Sequence, residues 1–245
     1  MPRTLPHPEH EVLPDHGGIP VPPERGGGDG DYHGWRPHDD NPRTRLKRYR
    51  TALAFAVVSI TGLFVALSIA YVLRKHAGSF DNTGRWSETW KSPALPRVLW
   101  LNTIMLLLST LTAELSRRRS FQEPDATEEW LGMGEPVRQQ TLPWLTLTIL
   151  LGAGFLTGQY AAWQQLYAAG AYFNTNPGNT FFYGLTGLHA LHVICGLMAM
   201  AGAWLGAVLH RSLESRQIAT DVTVWYWHAM SGLWVYLFVL LLCLG

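Results

Sequence analysis

Two long stretches of the sequence contain no charged residue, and this feature constrains the fold more than any other. No Asp, Glu, Lys or Arg occurs between Gln139 and His210, or between Val222 and Gly245. The chain has 47% hydrophobic and only 15% charged residues, which is too little charge to cover the surface of a soluble protein of this length. The pattern therefore predicts a membrane protein.

Five apolar stretches are long enough to cross a membrane as helices, since a spanning helix needs about 20 mostly apolar residues. The predicted spans cover residues 51–73, 98–115, 144–169, 181–209 and 222–244. Asn176, Pro177 and Gly178 favour a turn, so the third and fourth spans should form a tight antiparallel hairpin. The predicted fold class is all-α, an integral membrane bundle of five transmembrane helices with a disordered or extended N-terminal arm.

The distribution of Lys and Arg predicts the orientation, because basic residues near the spans tend to stay on the cytoplasmic side. If the N-terminus is inside, eleven basic residues flank the inner ends of the spans: Arg43, Arg45, Lys47, Arg48, Arg50, Arg117, Arg118, Arg119, Arg138, Arg211 and Arg216. Five flank the outer ends: Arg74, Lys75, Arg85, Lys91 and Arg97. A cytoplasmic N-terminus and an outer C-terminus are therefore predicted.

Residues 1–50 differ from the rest of the chain, residues 51–245, which form the predicted transmembrane domain. They are rich in Pro, Gly, His and Asp, and hold too little apolar surface to offset the entropy of ordering. Their histidines lack metal-ligand spacing, which favours a solvated tail over a metal site: His7, His10, His16, His33 and His38. We hypothesise that this cytoplasmic arm lies across a partner subunit and orders on binding.

Polar residues inside predicted spans are costly and therefore informative. The fourth span carries His189 and His192 on one helix face, and the fifth carries His228 close to Asp221. Three interpretations are open for the histidines: ligation of a b-type haem, a proton relay, and interhelical hydrogen bonds. A relay usually needs carboxylates, which spans three to five lack. Glu114, at the inner end of the second span, is expected to pair with the arginines that follow it.

Several function classes are excluded or disfavoured by what the sequence lacks. A net charge of +1 does not support nucleic-acid binding, and Cys195 and Cys243 lie in apolar runs where they can build neither a disulfide framework nor a zinc site. No nucleophile with an adjacent base, phosphate-binding Gly loop or metal-ligand cluster is evident. Stripes of small residues, such as Gly62, Ala66 and Ala70, favour close helix packing. The chain is therefore expected to be a component of a larger assembly.

Two segments carry a family resemblance. FFYGLTGLHALHVICGL at 181–197 and VWYWHAMSGLWVYLFVLL at 224–241 together resemble subunit III of the haem-copper oxidases, the cytochrome c oxidase family. LPRVLWLNTIMLLLSTLT at 95–112 and GQYAAWQQL at 158–166 extend the similarity. From about residue 51 to 245 the chain resembles the five-helix bacterial form of that subunit, which implies a bacterial plasma membrane location.

The resemblance implies an accessory subunit of a cytochrome c oxidase-type complex, without a catalytic centre, haem or copper of its own. The haem and copper are expected in partner subunits. Subunit I is the expected main contact, beside other oxidase subunits and bound phospholipid, and no nucleic acid. The family is thought to sustain proton uptake by subunit I and to protect it during turnover. The candidate packing, lipid or proton-related residues are His189, His192, Trp227, His228 and Glu114.

Two positions depart from the family pattern. Many relatives carry a Ser-Glu pair where this chain has Ser59 and Ile60, and an Asp where it has Ser231. The roles of those two carboxylates are therefore not transferred to this chain. A subunit III-like component of a quinol oxidase or nitric oxide reductase complex is an alternative, and a free-standing membrane protein with a bis-histidine b-haem is an alternative of another class.

Overall fold

Five long helices make up most of the structure, a computed structural model that describes residues 42–76, 79–80, 86–87, 96–122, 141–173, 176–209 and 212–244. The helices are α1 (Pro42–His76), α2 (Val98–Ser120), α3 (Thr141–Ala168), α4 (Pro177–Val208) and α5 (Leu213–Leu244). Each is long and apolar enough to cross a membrane. A small antiparallel pair, β1 (Ser79–Phe80) with β2 (Trp86–Ser87), lies between α1 and α2. The predicted all-α class with five spans is confirmed.

All five helices are longer than the predicted spans, and the largest differences are at the starts of α1 and α5. Helix α1 begins at Pro42 rather than at residue 51, and α5 begins at Leu213 rather than at residue 222. Proline is well tolerated in the first turn of a helix because its missing N–H would have no intrahelical partner there. The added turns pair with each other, since Arg45 donates a hydrogen bond to Glu214 at 3.1 Å. The sequence assigns residues 1–50 to a disordered or extended arm, but residues 42–50 are the first turns of α1, so the arm is shorter than predicted. Residues 1–41, the rest of the arm, lie outside the described residues.

The charged ends of three helices meet at one end of the bundle. Helices α1 and α5 begin there, and the last turn of α2 contains Arg117, Arg118 and Arg119. We call this end of the bundle the basic end.

The turn between α3 and α4 has the local structure that its residues predict. Gly170 adopts a positive φ of 79° just after α3, a conformation that costs little only for glycine. The side chain of Asn176 caps α4 by accepting a hydrogen bond from the backbone N–H of Gly178 at 3.1 Å, and Pro177 occupies the first turn. Helices α3 and α4 pack against each other, so the predicted hairpin is confirmed.

The core of the bundle lies among α2, α3, α4 and α5. Its centre is aromatic: the ring of Phe155 on α3 lies 4.9 Å from that of Trp234 on α5, edge to face. Helix α1 packs on the outside of this core, against α5 and α4, through a second cluster around Phe64. Helix α1 is therefore the least buried of the five and depends on a few specific contacts.

Glycines set the closest helix approaches. Gly154 and Gly158 on α3 face Met105 and Asn102 on α2, where an added Cβ would collide with those side chains. This pair uses the predicted small-residue packing. Gly62 on α1 has no such neighbour within 4 Å among the described residues, and its stripe is exposed.

The glycine contacts predict opposite outcomes for two substitutions. A Cβ at Gly152 would lie 2.8 Å from the rigid ring of Trp227, whereas one at Gly184 would meet nothing within 4 Å. Gly152→Ala should therefore destabilise the bundle by about 1–3 kcal/mol through overpacking. The matched Gly184→Ala should be neutral or stabilise it by up to about 1 kcal/mol, because alanine favours helix. Thermal unfolding in detergent measures both, and equal effects would contradict the packing.

Candidate functional site

An ionic network joins three helices at the basic end. The side chain of Asp221 on α5 is fully buried. Arg50 of α1 donates two hydrogen bonds to it, from Nε to Oδ2 at 2.8 Å and from Nη2 to Oδ1 at 2.9 Å. Arg117 of α2 donates a third, from Nη1 to Oδ1 at 3.4 Å. Asp221 therefore connects both α1 and α2 to α5.

Glu114 extends this network along α2. Arg117 donates to both oxygens of Glu114, at 2.9 Å and 2.8 Å, and Arg118 donates from Nε at 2.8 Å. These are the arginine partners that the sequence predicts for Glu114. His228 of α5 donates from Nε2 to Glu114 Oε2 at 3.3 Å. Spans three to five contain no carboxylate, which disfavours a proton relay within them, but the carboxylate that reaches His228 comes from the second span.

The arginines of the network pair with its carboxylates in a two-pronged geometry. A guanidinium group matches a carboxylate with two parallel hydrogen bonds, and both Arg50 and Arg117 use this arrangement. Arg117 follows Glu114 by three residues on one helix face, so this pair is already positioned by α2. The guanidinium of Arg117 also lies 5.9 Å from the ring of Trp225, within cation–π range. The network is therefore held by helix geometry as well as by charge.

The sequence WYWH on α5 covers residues 225–228, and each of its four side chains contacts a different part of the bundle. Trp227 is buried between Gly152 of α3 and Gly196 of α4, and its indole N–H donates to Ser109 Oγ at 3.0 Å. The hydroxyl of Tyr226 donates to the backbone carbonyl of His192 at 3.0 Å. Together with Trp225 beside Arg117 and His228 on Glu114, the segment joins α5 to α2, α3 and α4.

The histidines of α4 lie in different environments. His189 is fully buried between aromatic rings, with the ring of Trp234 at 5.2 Å, that of Phe155 at 6.0 Å and that of Phe64 at 6.4 Å. Neither of its ring nitrogens has a hydrogen-bond partner among the described residues. His192 is partly buried and donates Nδ1–H to the carbonyl of Leu188 at 2.8 Å, within its own helix.

The arrangement of the histidines does not fit a bis-histidine haem site. Such a site needs two imidazoles facing one iron from opposite sides. His189 is enclosed by aromatic rings, whereas His228 is turned toward Glu114 at the basic end. Within the described part of the chain, no group of three His, Cys, Asp or Glu side chains is placed to hold a metal ion.

Two apolar cavities lie at successive levels between α1 and α5. The larger, about 580 Å³, begins beside the ionic network and is lined by Arg50, Leu53, Ala54, Val57, Trp225, His228 and Ala229. The smaller, about 300 Å³, is lined by Arg45, Tyr49, Ser215, Ile218, Ala219, Val222 and Thr223. We call the two together the α1–α5 groove. It combines apolar walls with cationic side chains, a combination that suits an acyl chain with an anionic headgroup.

Comparison with known proteins identifies the family. The family described as cytochrome c oxidase subunit III matches residues 40–245, which is most of the chain. The cytochrome c oxidase subunit 3 of Polypterus ornatipinnis is 30% identical over 197 residues, covering 79% of this chain and 68% of that protein. The proteins of the same name from Scyliorhinus canicula and Gallus gallus are 29% and 27% identical over similar lengths, 68% and 69% of those proteins.

The chain belongs to the cytochrome c oxidase subunit III family. It is a subunit III of a haem-copper oxidase, and therefore part of an oxidase complex with other subunits. Its five apolar helices make it a multi-pass membrane protein. The resemblance read from the two motif segments is thereby confirmed.

The two positions that depart from the usual subunit III pattern have local structural explanations. Ile60, where the resemblance leads us to expect a glutamate, packs against the apolar cluster between α1 and α5. Ser231, where it leads us to expect an aspartate, is buried with its hydroxyl 2.9 Å from that of Thr110 on α2. A charged group at either position would have to be desolvated, and these side chains avoid that cost.

Three residues of this subunit III site are not among the candidates from the sequence: Arg50, Arg117 and Asp221. Arg117 is expected there only as a partner of Glu114, and Asp221 is noted only as a neighbour of His228. One signal was available for Asp221, because it precedes His228 by seven residues and so lies on the same helix face. Arg50 gave no comparable signal, because it is one of several basic residues at the start of the first span. Only the packing of α1 against α5 selects it.

The network predicts different effects for two neighbouring arginines. Arg117→Ala removes the residue shared by Asp221 and Glu114 and should destabilise the subunit by on the order of 3 kcal/mol, since it leaves a buried carboxylate with one partner fewer. The control Arg118→Ala removes an arginine whose side chain is 69% exposed and should cost less than about 1 kcal/mol. Denaturant unfolding of the two variants in detergent makes the comparison. Equal losses would contradict the central role of Arg117.

Proposed function

We propose that this chain supports assembly, lipid binding and sustained proton uptake by the catalytic subunit of a cytochrome c oxidase. The observation that carries the proposal is the ionic network of Arg50, Asp221, Arg117, Glu114 and His228 beside the α1–α5 groove. The network places fixed charges and an imidazole at one end of an otherwise apolar bundle. Haem and copper belong to partner subunits under this proposal, with subunit I as the main contact.

The groove supports the lipid part of the proposal. Its walls are mainly apolar side chains and small residues that leave space for an acyl chain, such as Leu53, Ala54 and Val57. Arg50 lies at the basic end of the larger cavity with 47% of its side chain exposed, so it can still contact a phosphate while it holds Asp221. Phospholipid in this groove would fill the space between α1 and α5, which stabilises the least buried helix.

The Glu114–His228 pair supports the proton part. Histidine is the side chain best suited to exchange protons under physiological conditions, and His228 is about one quarter exposed. Its carboxylate partner is exposed to the same degree. The pair could collect protons at the membrane surface near the partner subunit, and the fixed arginines around it would hold Glu114 in place.

The orientation belongs to the same proposal. We place the basic end at the cytoplasmic side of a bacterial plasma membrane, with the N-terminus inside and the C-terminus outside. The excess of Arg and Lys at this end supports this sidedness under the positive-inside tendency. The network would then face the compartment from which an oxidase takes up protons.

The proposal predicts a progressive rather than immediate loss of activity. An oxidase complex depleted of this subunit should still reduce oxygen at first but lose activity over successive turnovers, and adding back the wild-type subunit should restore its lifetime. The Arg50→Ala subunit should restore it less well and should retain less phospholipid, because Arg50 lines the groove. The control Arg74→Ala, at the opposite end of α1, should restore it fully.

Oxygen-consumption traces and mass spectrometry of the extracted lipid measure these two outcomes. Immediate and complete inactivity of a depleted core with all its metals would contradict the proposed role in sustaining activity. An unchanged phospholipid content of the complex with the Arg50→Ala subunit would contradict the proposed lipid site but not the role in sustaining activity.

A further inference from the structure

Three polar side chains in the core lack hydrogen-bond partners. Asn102 on α2, Gln159 on α3 and His189 on α4 are each at least 99% buried. Both amide atoms of Asn102, both amide atoms of Gln159 and both ring nitrogens of His189 have no partner among the described residues. All three lie on the core side of their helices, away from the ionic network at the basic end.

The contacts around them place the three side chains at one level of the bundle. Asn102 faces Gly158, the residue before Gln159. Phe155, one turn before Gln159, contacts the rings of both His189 and Trp234.

Trp234 on α5 lies at the same level and links the surroundings of His189 to those of Asn102. Its ring lies 5.2 Å from that of His189, and its indole N–H donates at 3.1 Å to the hydroxyl of Thr103, the residue after Asn102. His189 contacts the Phe155–Trp234 pair directly, and Asn102 and Gln159 are placed near the same level by their neighbours Thr103 and Gly158.

Unpaired polar groups at this depth are costly. A buried amide or imidazole that makes no hydrogen bond loses its hydration without replacement, and hydrocarbon around a membrane helix offers no partner. Elsewhere in the bundle, several polar side chains are paired across helices, such as Trp227 with Ser109 and Trp163 with Thr186. Ser116 Oγ is also buried and unpaired among the described residues, but it lies near the basic end of α2, 14 residues after Asn102.

We propose that ordered water molecules inside the bundle bridge Asn102, Gln159 and His189. An amide offers both a donor and an acceptor, and a neutral imidazole has one nitrogen of each kind. Water is complementary to both, and a buried water typically makes about three hydrogen bonds. The three groups are uncharged, which fits water better than an ion. The bridge would connect α2, α3 and α4 and is independent of the proposed role in proton uptake.

The direct test is a density map of the purified oxidase complex at a resolution that shows ordered solvent. The proposal expects solvent density within hydrogen-bond distance of at least two of the three side chains. A layer without such density overturns it, as does a layer in which the side chains bond directly to one another.

A double-mutant cycle tests whether Gln159 and His189 are energetically coupled through shared water. Gln159→Leu and His189→Phe should each lower the temperature at which the subunit unfolds in the complex, and the double variant should lower it by less than the sum, because both act on the same waters. The control pairs His189→Phe with Thr148→Val, whose hydroxyl bonds Thr112 at another level of α3. That pair should be additive. Additive shifts for Gln159 and His189 would overturn a shared bridge.

Discussion

The buried carboxylate of Asp221 determines how α1 is attached to the rest of the bundle. Within the described part of the chain, helix α1 packs mainly against α5 and α4, and its outer face is largely exposed. Arg50 crosses from α1 to Asp221 with two short hydrogen bonds, and Arg117 approaches the same carboxylate from α2. A charge placed so deeply is stable only while its partners remain, so the position of all three helices at the basic end depends on it.

The family motifs organise the core of the bundle through packing. Trp227 fits between two glycines on α3 and α4, and its indole N–H bonds α2. His228, the next residue, faces the ionic network instead. Adjacent positions on α5 thus serve the apolar core and the charged end. His189 has a third role, since it lies in an aromatic layer with unpaired nitrogens.

Sequence patterns predicted the fold because hydrophobic length and turn residues are local properties. The charge-free stretches predict membrane-spanning helices, and the turn-forming residues around Pro177 predict the hairpin of α3 and α4. The site was predicted only in part, because its partners come from distant parts of the chain: Arg50 and Asp221 are 171 residues apart. Glu114 and His228 were selected as separate candidates, but nothing in the sequence showed that they meet. The longer start of α1 was missed because its first turns are polar and are stabilised by pairing with α5.

The most direct test of this account is a distance measurement between spin labels on α1 and at the start of α5. Labels at Lys47 and Ser212, in a chain whose Cys195 and Cys243 are replaced by serine, report on the basic end of the bundle. The account predicts one narrow distance distribution in the otherwise unaltered protein and a broader one in Asp221→Asn, because the neutral amide cannot hold both arginines. An unchanged narrow distribution in Asp221→Asn would show that α1 is attached by other contacts and would contradict the account.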